Sequence, residues 1–174
     1  MKKVLACMAL ALITQSAYAQ KVTLMLDWFV NPDHGPIIVA KQQGLFKDQG
    51  LDVEIQEPAD PSMPPKLVAA GKFDLAVTYQ PQLIRDVVEQ LPLTRVSTLI
   101  ATPLNTVMVL ADKGYDSLAD LKGKKVGYAF DGGLVDATVG TMLSKNGISI
   151  KDVELINVGW SLSASLAAGK VDAI

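Results

Sequence analysis

The sequence has little of the chemistry on which most enzymes and metalloproteins depend. Among its 174 residues there is one cysteine, Cys7, and one histidine, His34. It contains no serine nucleophile motif, no cysteine–histidine pair, and no cluster of histidine and carboxylate residues at metal-ligand spacing. We therefore expect a protein that is not an enzyme and that holds neither a metal ion nor a cofactor.

Long apolar runs and basic patches are also missing. No apolar run reaches the roughly 20 residues that a membrane-spanning helix needs. The formal net charge is −2, and the lysines are scattered between acidic residues instead of forming a stripe. These features argue against a transmembrane helix and against a nucleic acid partner.

What the sequence does contain begins with an export signal. Two lysines near the N-terminus precede an apolar run at 4–13, and a small-x-small pattern follows at 17–19. We expect signal peptidase to cleave after Ala19, which removes Cys7 and excludes disulfides from the mature chain. A lipoprotein signal ending at Cys7 is the alternative, but too few apolar residues precede that cysteine.

Beyond the signal, predicted strands alternate with predicted helices. Apolar and alternating runs predict strands at 22–26, 51–55, 73–78, 94–101, 106–111, 125–130 and 153–158. Helical spacing between glycine and proline boundaries predicts helices near 36–43, 63–70, 81–88, 117–120 and 134–143. This order is typical of mostly parallel α/β sheets covered on both faces. We expect one lobe to about residue 111 and a second lobe from 112.

Two of the predicted helices carry more specific expectations. Ser62 is expected to cap the helix that Gly71 ends. The helix that begins at Pro81 is expected to bury an apolar stripe made of Leu83, Ile84, Val87 and Val88.

The chain also contains an internal repeat. Residues 69–76, Ala-Ala-Gly-Lys-Phe-Asp-Leu-Ala, recur at 167–174 as Ala-Ala-Gly-Lys-Val-Asp-Ala-Ile. Each copy lies where a helix is predicted to pass into a strand, so we expect two lobes built on one architectural unit. The second copy stops at Ile174, where its strand should begin, and we expect a fragment with an incomplete second lobe.

The loop after the first strand is the first candidate for ligand binding. In open α/β sheets, ligands bind outside the carboxyl ends of the strands. Trp28, Asn31 and His34 lie together in this loop, and their indole, amide and imidazole groups suit a flat heteroaromatic ligand. Core packing of Trp28 and a local capping role for His34 are the alternatives.

The loops after the second and third strands supply further candidates on the same side of the sheet. Tyr79 is expected to wall the cleft opposite Trp28, with Gln80 beside it. Ser62 is a candidate as well, although capping is the first role that we expect of it. Gln80 has the alternative of only preceding a helix.

The second lobe contributes two more candidates. Asp131, Gly132 and Gly133 stand at a helix start, where backbone N–H groups can approach an anion or a carbonyl oxygen closely. A plain tight turn is the alternative, because the lysine and the serine or threonine of a P-loop are missing. Trp160 follows the last strand and is expected to complete an aromatic clamp with Trp28.

Four stretches of the sequence are informative together: Leu26-Asp27-Trp28-Phe29-x-Asn31-x-x-His34, Gly50-Leu51-Asp52-Val53-Glu54, Asp60-Pro61-Ser62-x-Pro64-Pro65 and Asp74-Leu75-Ala76-Val77-x-Tyr79-Gln80. In these stretches the chain resembles a family that pairs bacterial thiamine-pyrimidine-precursor-binding proteins with fungal thiamine-pyrimidine synthases. It covers essentially all of the mature chain and looks like the bacterial branch.

This resemblance implies a type II periplasmic-binding-protein fold with a ligand held between two lobes. Trp28, Asn31, His34 and Tyr79 match positions that often face the ligand ring, and 131–133 matches the second-lobe loop. A monomeric periplasmic carrier is implied, with a small molecule and an ABC transporter permease as partners and with no membrane contact of its own. The synthase branch is an alternative, but it uses pyridoxal phosphate and a cysteine-rich motif. Riboflavin or a sulfonate is an alternative ligand.

Overall fold

The computed structural model describes residues 19–129 and 132–174, which form two parallel β-sheets flanked by helices. Residues 1–18 of the signal peptide predicted at 1–19 lie outside the described residues, as do residues 130 and 131. The predicted fold class, an α/β protein with two lobes and parallel sheets, is confirmed.

The first sheet joins three parallel strands in the order β2-β1-β3. These strands are β1 (Gln20–Met25), β2 (Leu51–Gln56) and β3 (Leu75–Ala76). The helices of this part are α1 (Gly35–Gln42), α2 (Leu45–Asp48), α3 (Pro64–Ala69) and α4 (Gln80–Val88). Strands β1 and β2 stay in register from Gln20 opposite Leu51 to Met25 opposite Gln56. Both strands therefore end at the same edge, and the loops that follow them start side by side.

The second sheet pairs β4 (Lys125–Tyr128) with β5 (Glu154–Asn157) in parallel. Helix α5 (Gly132–Lys145) connects the two strands, and α6 (Leu162–Ala167) follows them. Ala173 then forms a parallel bridge to Val126 and an antiparallel bridge to Val109. A buried cluster holds this lobe together: Leu121, Val126, Leu143, Ile148 and Ala173.

Three predicted strands differ from the structure. The strand predicted at 73–78 is reduced to the two residues of β3. Residues 94–101, which the structure describes throughout, form no strand, and Val96 is exposed. In the segment 106–111 only the bridge at Val109 forms, supported by backbone hydrogen bonds between Met108 and Ile174. A strand needs a neighbour to accept its hydrogen bonds, and apolar composition alone does not provide one.

The buried stripe predicted for α4 is wrong. Ile84, Val87 and Val88 are exposed, whereas Gln82 and Asp86 of the same helix are buried. The sequence spacing identified a real apolar face. Which face of a helix becomes covered depends on the elements packed against it, and these are distant in sequence.

The repeated sequence forms the same joint in both lobes. Helices α3 and α6 both end at a glycine with positive φ, 68° at Gly71 and 67° at Gly169. The aspartate three residues later then accepts a hydrogen bond from the backbone N–H of the first strand of its sheet. Asp74 binds Thr23 at 2.7 Å, and Asp172 binds Lys125 at 2.9 Å. The predicted architectural repeat is therefore confirmed.

Candidate functional site

The loop after β1 is organised around a buried carboxylate, Asp27. The imidazole of His34, 1% exposed, lies with Nε2 at 2.7 Å from Asp27 Oδ1. Its Nδ1 accepts the backbone N–H of Asn31 at 3.3 Å, so the ring hydrogen resides on Nε2 and is donated to Asp27. His34 thus has a structural role inside the loop.

Asn31 also shapes this loop. Its Oδ1 accepts the backbone N–H of Asp33 at 2.9 Å, and its Nδ2 donates to the carbonyl of Phe29 at 3.0 Å. Asn31 is the N-cap of the short 3₁₀ helix Pro32–His34. Both ends of the amide are engaged by the loop backbone, which holds the neighbouring aromatic residues in place.

Tyr79 reaches the same carboxylate from the end of the third strand. Its hydroxyl is hydrogen-bonded to Asp27, and burial together with this negative charge raises the pKa of Tyr79 far above its ordinary value. The phenol therefore stays protonated at neutral pH. Tyr79 lines a side hollow of about 190 Å³ with Leu104, Asn105 and Thr106. Sequence reasoning expected it to wall the cleft opposite Trp28.

Gln80, the neighbour of Tyr79, is exposed as the first residue of α4. Its Oε1 accepts a hydrogen bond from Arg95 Nη1 at 2.7 Å. This contact ties the start of α4 to the irregular segment that follows the helix.

A larger hollow lies where the carboxyl ends of strands from both sheets meet. It measures about 250 Å³, and we call it the interlobe cleft. Its walls are the loop after β2, the end of β4 and the loop after β5: Ala59, Asp60, Pro61, Ser62, Ala129, Asn157, Gly159 and Trp160. This is the location at which open α/β sheets bind their ligands.

Asp60 supplies negative charge to the interlobe cleft. The backbone N–H and the hydroxyl of Ser62 both donate to Asp60 Oδ1, each at 2.8 Å. These two bonds lower the pKa of Asp60, so its carboxylate is ionised at neutral pH. The expected capping role of Ser62 is wrong, because the N-cap of α3 is Met63 and the Ser62 hydroxyl turns back to Asp60.

An aromatic cluster closes one end of the interlobe cleft. The ring centroid of Trp160 lies 4.2 Å from that of Trp28 and 4.3 Å from that of Phe29. Trp160 Nε1 donates to the carbonyl of Ala59 at 3.1 Å. Trp160 therefore faces the first lobe as expected, but it touches Trp28 directly. A planar guest between two rings needs about 7 Å, which is two van der Waals contacts, so the clamp is closed.

The two candidate glycines of the second lobe, Gly132 and Gly133, are the first two residues of α5. Asp131, the third candidate of this segment, lies outside the described residues. Ala129, which precedes this segment, lines the interlobe cleft. Binding of an anion or carbonyl oxygen at the start of α5 stays a prediction.

Sequence reasoning missed Phe29, Ala59 and Asn157. Phe29 was visible as a second aromatic residue beside Trp28, and Asn157 as a polar residue at the end of a strand. The contribution of Ala59 is its backbone carbonyl, for which side-chain patterns carry no signal. Among the described residues, no three histidine, cysteine or carboxylate side chains converge so that they could hold a metal ion. No helix in the same ranges is both long and apolar enough to cross a membrane.

Comparison with known proteins gives relatives of two kinds. A Haemophilus influenzae protein whose name connects it with thiamine biosynthesis is 58% identical over 96% of this chain and 53% of its own length. The formylaminopyrimidine-binding protein of Halalkalibacterium halodurans is 40% identical over 89% of this chain and 47% of its own. A 4-amino-5-hydroxymethyl-2-methylpyrimidine phosphate synthase of Saccharomyces cerevisiae is 31% identical over 88% of this chain and 45% of its own length. The chain spans about half the length of these relatives.

Solved structures show the same fold. The alkanesulfonate-binding protein of Xanthomonas axonopodis pv. citri superposes with a TM-score of 0.69 at 22% identity, over 89% of this chain and 53% of the other. At this identity the likeness concerns the fold alone, which this chain also shares with a periplasmic aliphatic sulphonate binding protein of Escherichia coli. The NMT1/THI5 like family matches residues 31–174. Together with the relatives above, this match shows that the chain belongs to the NMT1/THI5 like family.

Proposed function

We propose that this chain is the ligand-binding part of a periplasmic solute-binding protein that serves an ABC importer. Its ligand is a small heteroaromatic molecule such as a pyrimidine precursor of thiamine, held in the interlobe cleft. The observation that carries the proposal is this cleft, which both lobes line at the carboxyl ends of their strands. The periplasmic setting is supported by the predicted export signal and by the fold shared with a sulfonate-binding protein.

The size of the interlobe cleft favours a small guest. Pockets that hold drug-sized ligands have volumes of about 300 to 1,000 Å³. The cleft, at about 250 Å³, is smaller. A single substituted ring fits this volume better than a flavin does.

The chemistry of the walls favours a flat ring that carries hydrogen-bond donors. The rings of Trp28 and Phe29 at the end of the cleft offer an aromatic surface, and the ionised Asp60 offers acceptor oxygens. A carboxylate has about four lone-pair sites, so Asp60 can accept an exocyclic amino group in addition to the two bonds from Ser62. An aminopyrimidine combines both features, and a relative is named for binding a formylaminopyrimidine.

Isothermal titration calorimetry with a panel of small molecules tests the proposal. The panel contains 4-amino-5-hydroxymethyl-2-methylpyrimidine, formylaminopyrimidine, riboflavin and an alkanesulfonate. We expect heat with an aminopyrimidine and about tenfold weaker binding for Asp60→Asn, because a charge-assisted hydrogen bond is lost. Asp112→Asn, at an exposed aspartate away from the interlobe cleft, is the matched control. Absence of binding heat with both pyrimidines would contradict the ligand assignment.

We further propose that the chain binds and does not catalyse. Relatives that carry a synthase name are less similar to it than the formylaminopyrimidine-binding relative is. An absorbance scan of the purified protein after addition of pyridoxal phosphate separates the two functions. An absorbance band that stays with the protein after free pyridoxal phosphate has been removed by gel filtration, as expected of a lysine Schiff base, would favour the synthase.

A further inference from the structure

We propose that Trp160 is an intramolecular competitor of the ligand and thereby sets the affinity and selectivity of the interlobe cleft. Its indole contacts the rings of Trp28 and Phe29, so a planar ligand can use the contacted part of that surface only after Trp160 has moved away. The ligand class rests on the proposed function above, whereas the contact itself does not.

The ring distances carry the first step of the argument. Trp160 lies 4.2 Å from Trp28 and 4.3 Å from Phe29 between ring centroids, with interplanar angles of 59° and 39°. One indole therefore contacts both aromatic residues of the loop after β1. Because a guest between two rings needs about 7 Å, no ring fits between Trp160 and either partner in this arrangement.

A hydrogen bond to the first lobe carries the second step. Trp160 Nε1 donates to the carbonyl of Ala59 at 3.1 Å, in the loop that also holds Asp60. The indole is thus bound at its ring face and at its polar atom, as a planar ligand with one donor would be. Trp160 satisfies the same groups that would recognise such a ligand.

The position of Trp160 in the fold allows it to leave. The residue lies in a single 3₁₀ turn, Gly159–Ser161, which follows β5 of the second lobe. Among the described residues, its ring contacts and its indole hydrogen bond go to Trp28, Phe29 and Ala59, which belong to the first lobe. A small opening between the lobes breaks these contacts together, and ligand binding to the exposed surface then competes with their return.

The sign of the affinity change tests the proposal. We expect Trp160→Ala to bind 4-amino-5-hydroxymethyl-2-methylpyrimidine about tenfold more tightly, since a ring contact and a hydrogen bond no longer compete with it. The affinity of Trp160→Phe, which keeps a ring but loses the donor, should lie between those of the unsubstituted protein and Trp160→Ala. Weaker binding by Trp160→Ala would overturn the proposal, because Trp160 would then be a wall that grips the ligand.

A second titration uses free indole and does not depend on the natural ligand. Removal of the Trp160 side chain uncovers the ring surface of Trp28 and Phe29 that it contacts and the carbonyl of Ala59, so we expect indole to bind Trp160→Ala and not the unsubstituted protein. If the pyrimidine binds to none of the proteins while indole binds to Trp160→Ala, the proposed function fails and the competitor role stands. Equal indole binding by both proteins would overturn the competitor role.

Folding of the variants is checked by circular dichroism and thermal unfolding before either titration. If Trp160→Ala does not fold, Trp160→Leu replaces it, because leucine retains apolar bulk but has neither a ring nor a donor. The same sign of the affinity change is expected for this variant, and a loss of affinity would again overturn the proposal.

Discussion

The two copies of the repeated sequence share their backbone but differ in their surroundings. In both, a glycine with positive φ ends a helix and an aspartate ties the joint to a strand. Leu75 in the first copy is 38% exposed, whereas Ala173, its counterpart, is 0% exposed. Ala173 bridges Val109 on one side and Val126 on the other, whereas Leu75 pairs with Leu24 alone in the described part of the chain. The repeat thus determines the joint, and the neighbouring strands determine its burial.

The largest expected effect comes from exchanging the residues that differ between the joints. Ala173→Leu places a large side chain at a fully buried position and should lower the free energy of unfolding by about 2 to 3 kcal/mol. Leu75→Ala, the reverse exchange, removes a partly exposed side chain and should cost less than about 1 kcal/mol. Urea unfolding measures both. Equal losses would contradict the view that flanking strands decide burial.

A smaller effect is expected at the shared aspartate. Asp172→Ala removes the acceptor of the Lys125 backbone N–H at 2.9 Å and of the Tyr115 hydroxyl at 3.4 Å. We expect a loss of about 1 to 2 kcal/mol in unfolding free energy. Asp74→Ala should cost less, because Asp74 is exposed whereas Asp172 is half-buried, so water can replace the Asp74 carboxylate more easily. Asp172→Asn, which retains one acceptor oxygen, is the control.

The two glycines should behave alike. Gly71 and Gly169 have φ values of 68° and 67°, and an added Cβ would meet no atom within 4 Å at either site. Substitution by alanine therefore costs only backbone strain, about 1 kcal/mol at each position. Thermal unfolding of the two single variants checks this expectation. A difference between them of more than about half that cost would show that the joints differ in more than their burial.

The smallest effect is a pH dependence at the first joint. The backbone N–H and hydroxyl of Thr23 hold the pKa of Asp74 below its ordinary value of 3.8. A carboxyl whose pKa is lowered by folding stabilises the protein above its unfolded-state pKa, and this contribution is lost as the pH falls through the lowered value. Urea midpoints measured from neutral to acidic pH should fall less steeply for Asp74→Asn. The same dependence of the urea midpoint on pH in Asp74→Asn and in the unsubstituted protein would contradict the prediction.

Most of the regular elements around the site were predictable from the sequence. Strands β1, β2, β4 and β5 and helices α1, α3, α4 and α5 were expected within a few residues of their observed bounds, whereas the short helix α2 was not predicted. Their signals are local, because alternation, proline and glycine act on neighbouring residues. The same holds for the joint at Gly71 and its repeat at Gly169.

Other features could not be read from local patterns. The buried face of α4, with Asp86 inside and Val88 outside, depends on which elements pack against it. The segment 94–101 has a strand-like composition but no strand partner in the described part of the chain. For Ser62, the nearby carboxylate of Asp60 competed for the hydroxyl that was expected to cap α3.

The amino-acid order by itself determined where strands end, which loops carry aromatic and polar side chains, and to which family the chain belongs. Only the tertiary structure decided that Trp160 lies on Trp28 and donates to Ala59, a residue 101 positions away in sequence. The physical reason is the separation in sequence over which each kind of interaction acts. Backbone preferences act over a few residues, whereas ring contacts and hydrogen bonds between lobes exist only where the two sheets lie next to each other in the folded chain.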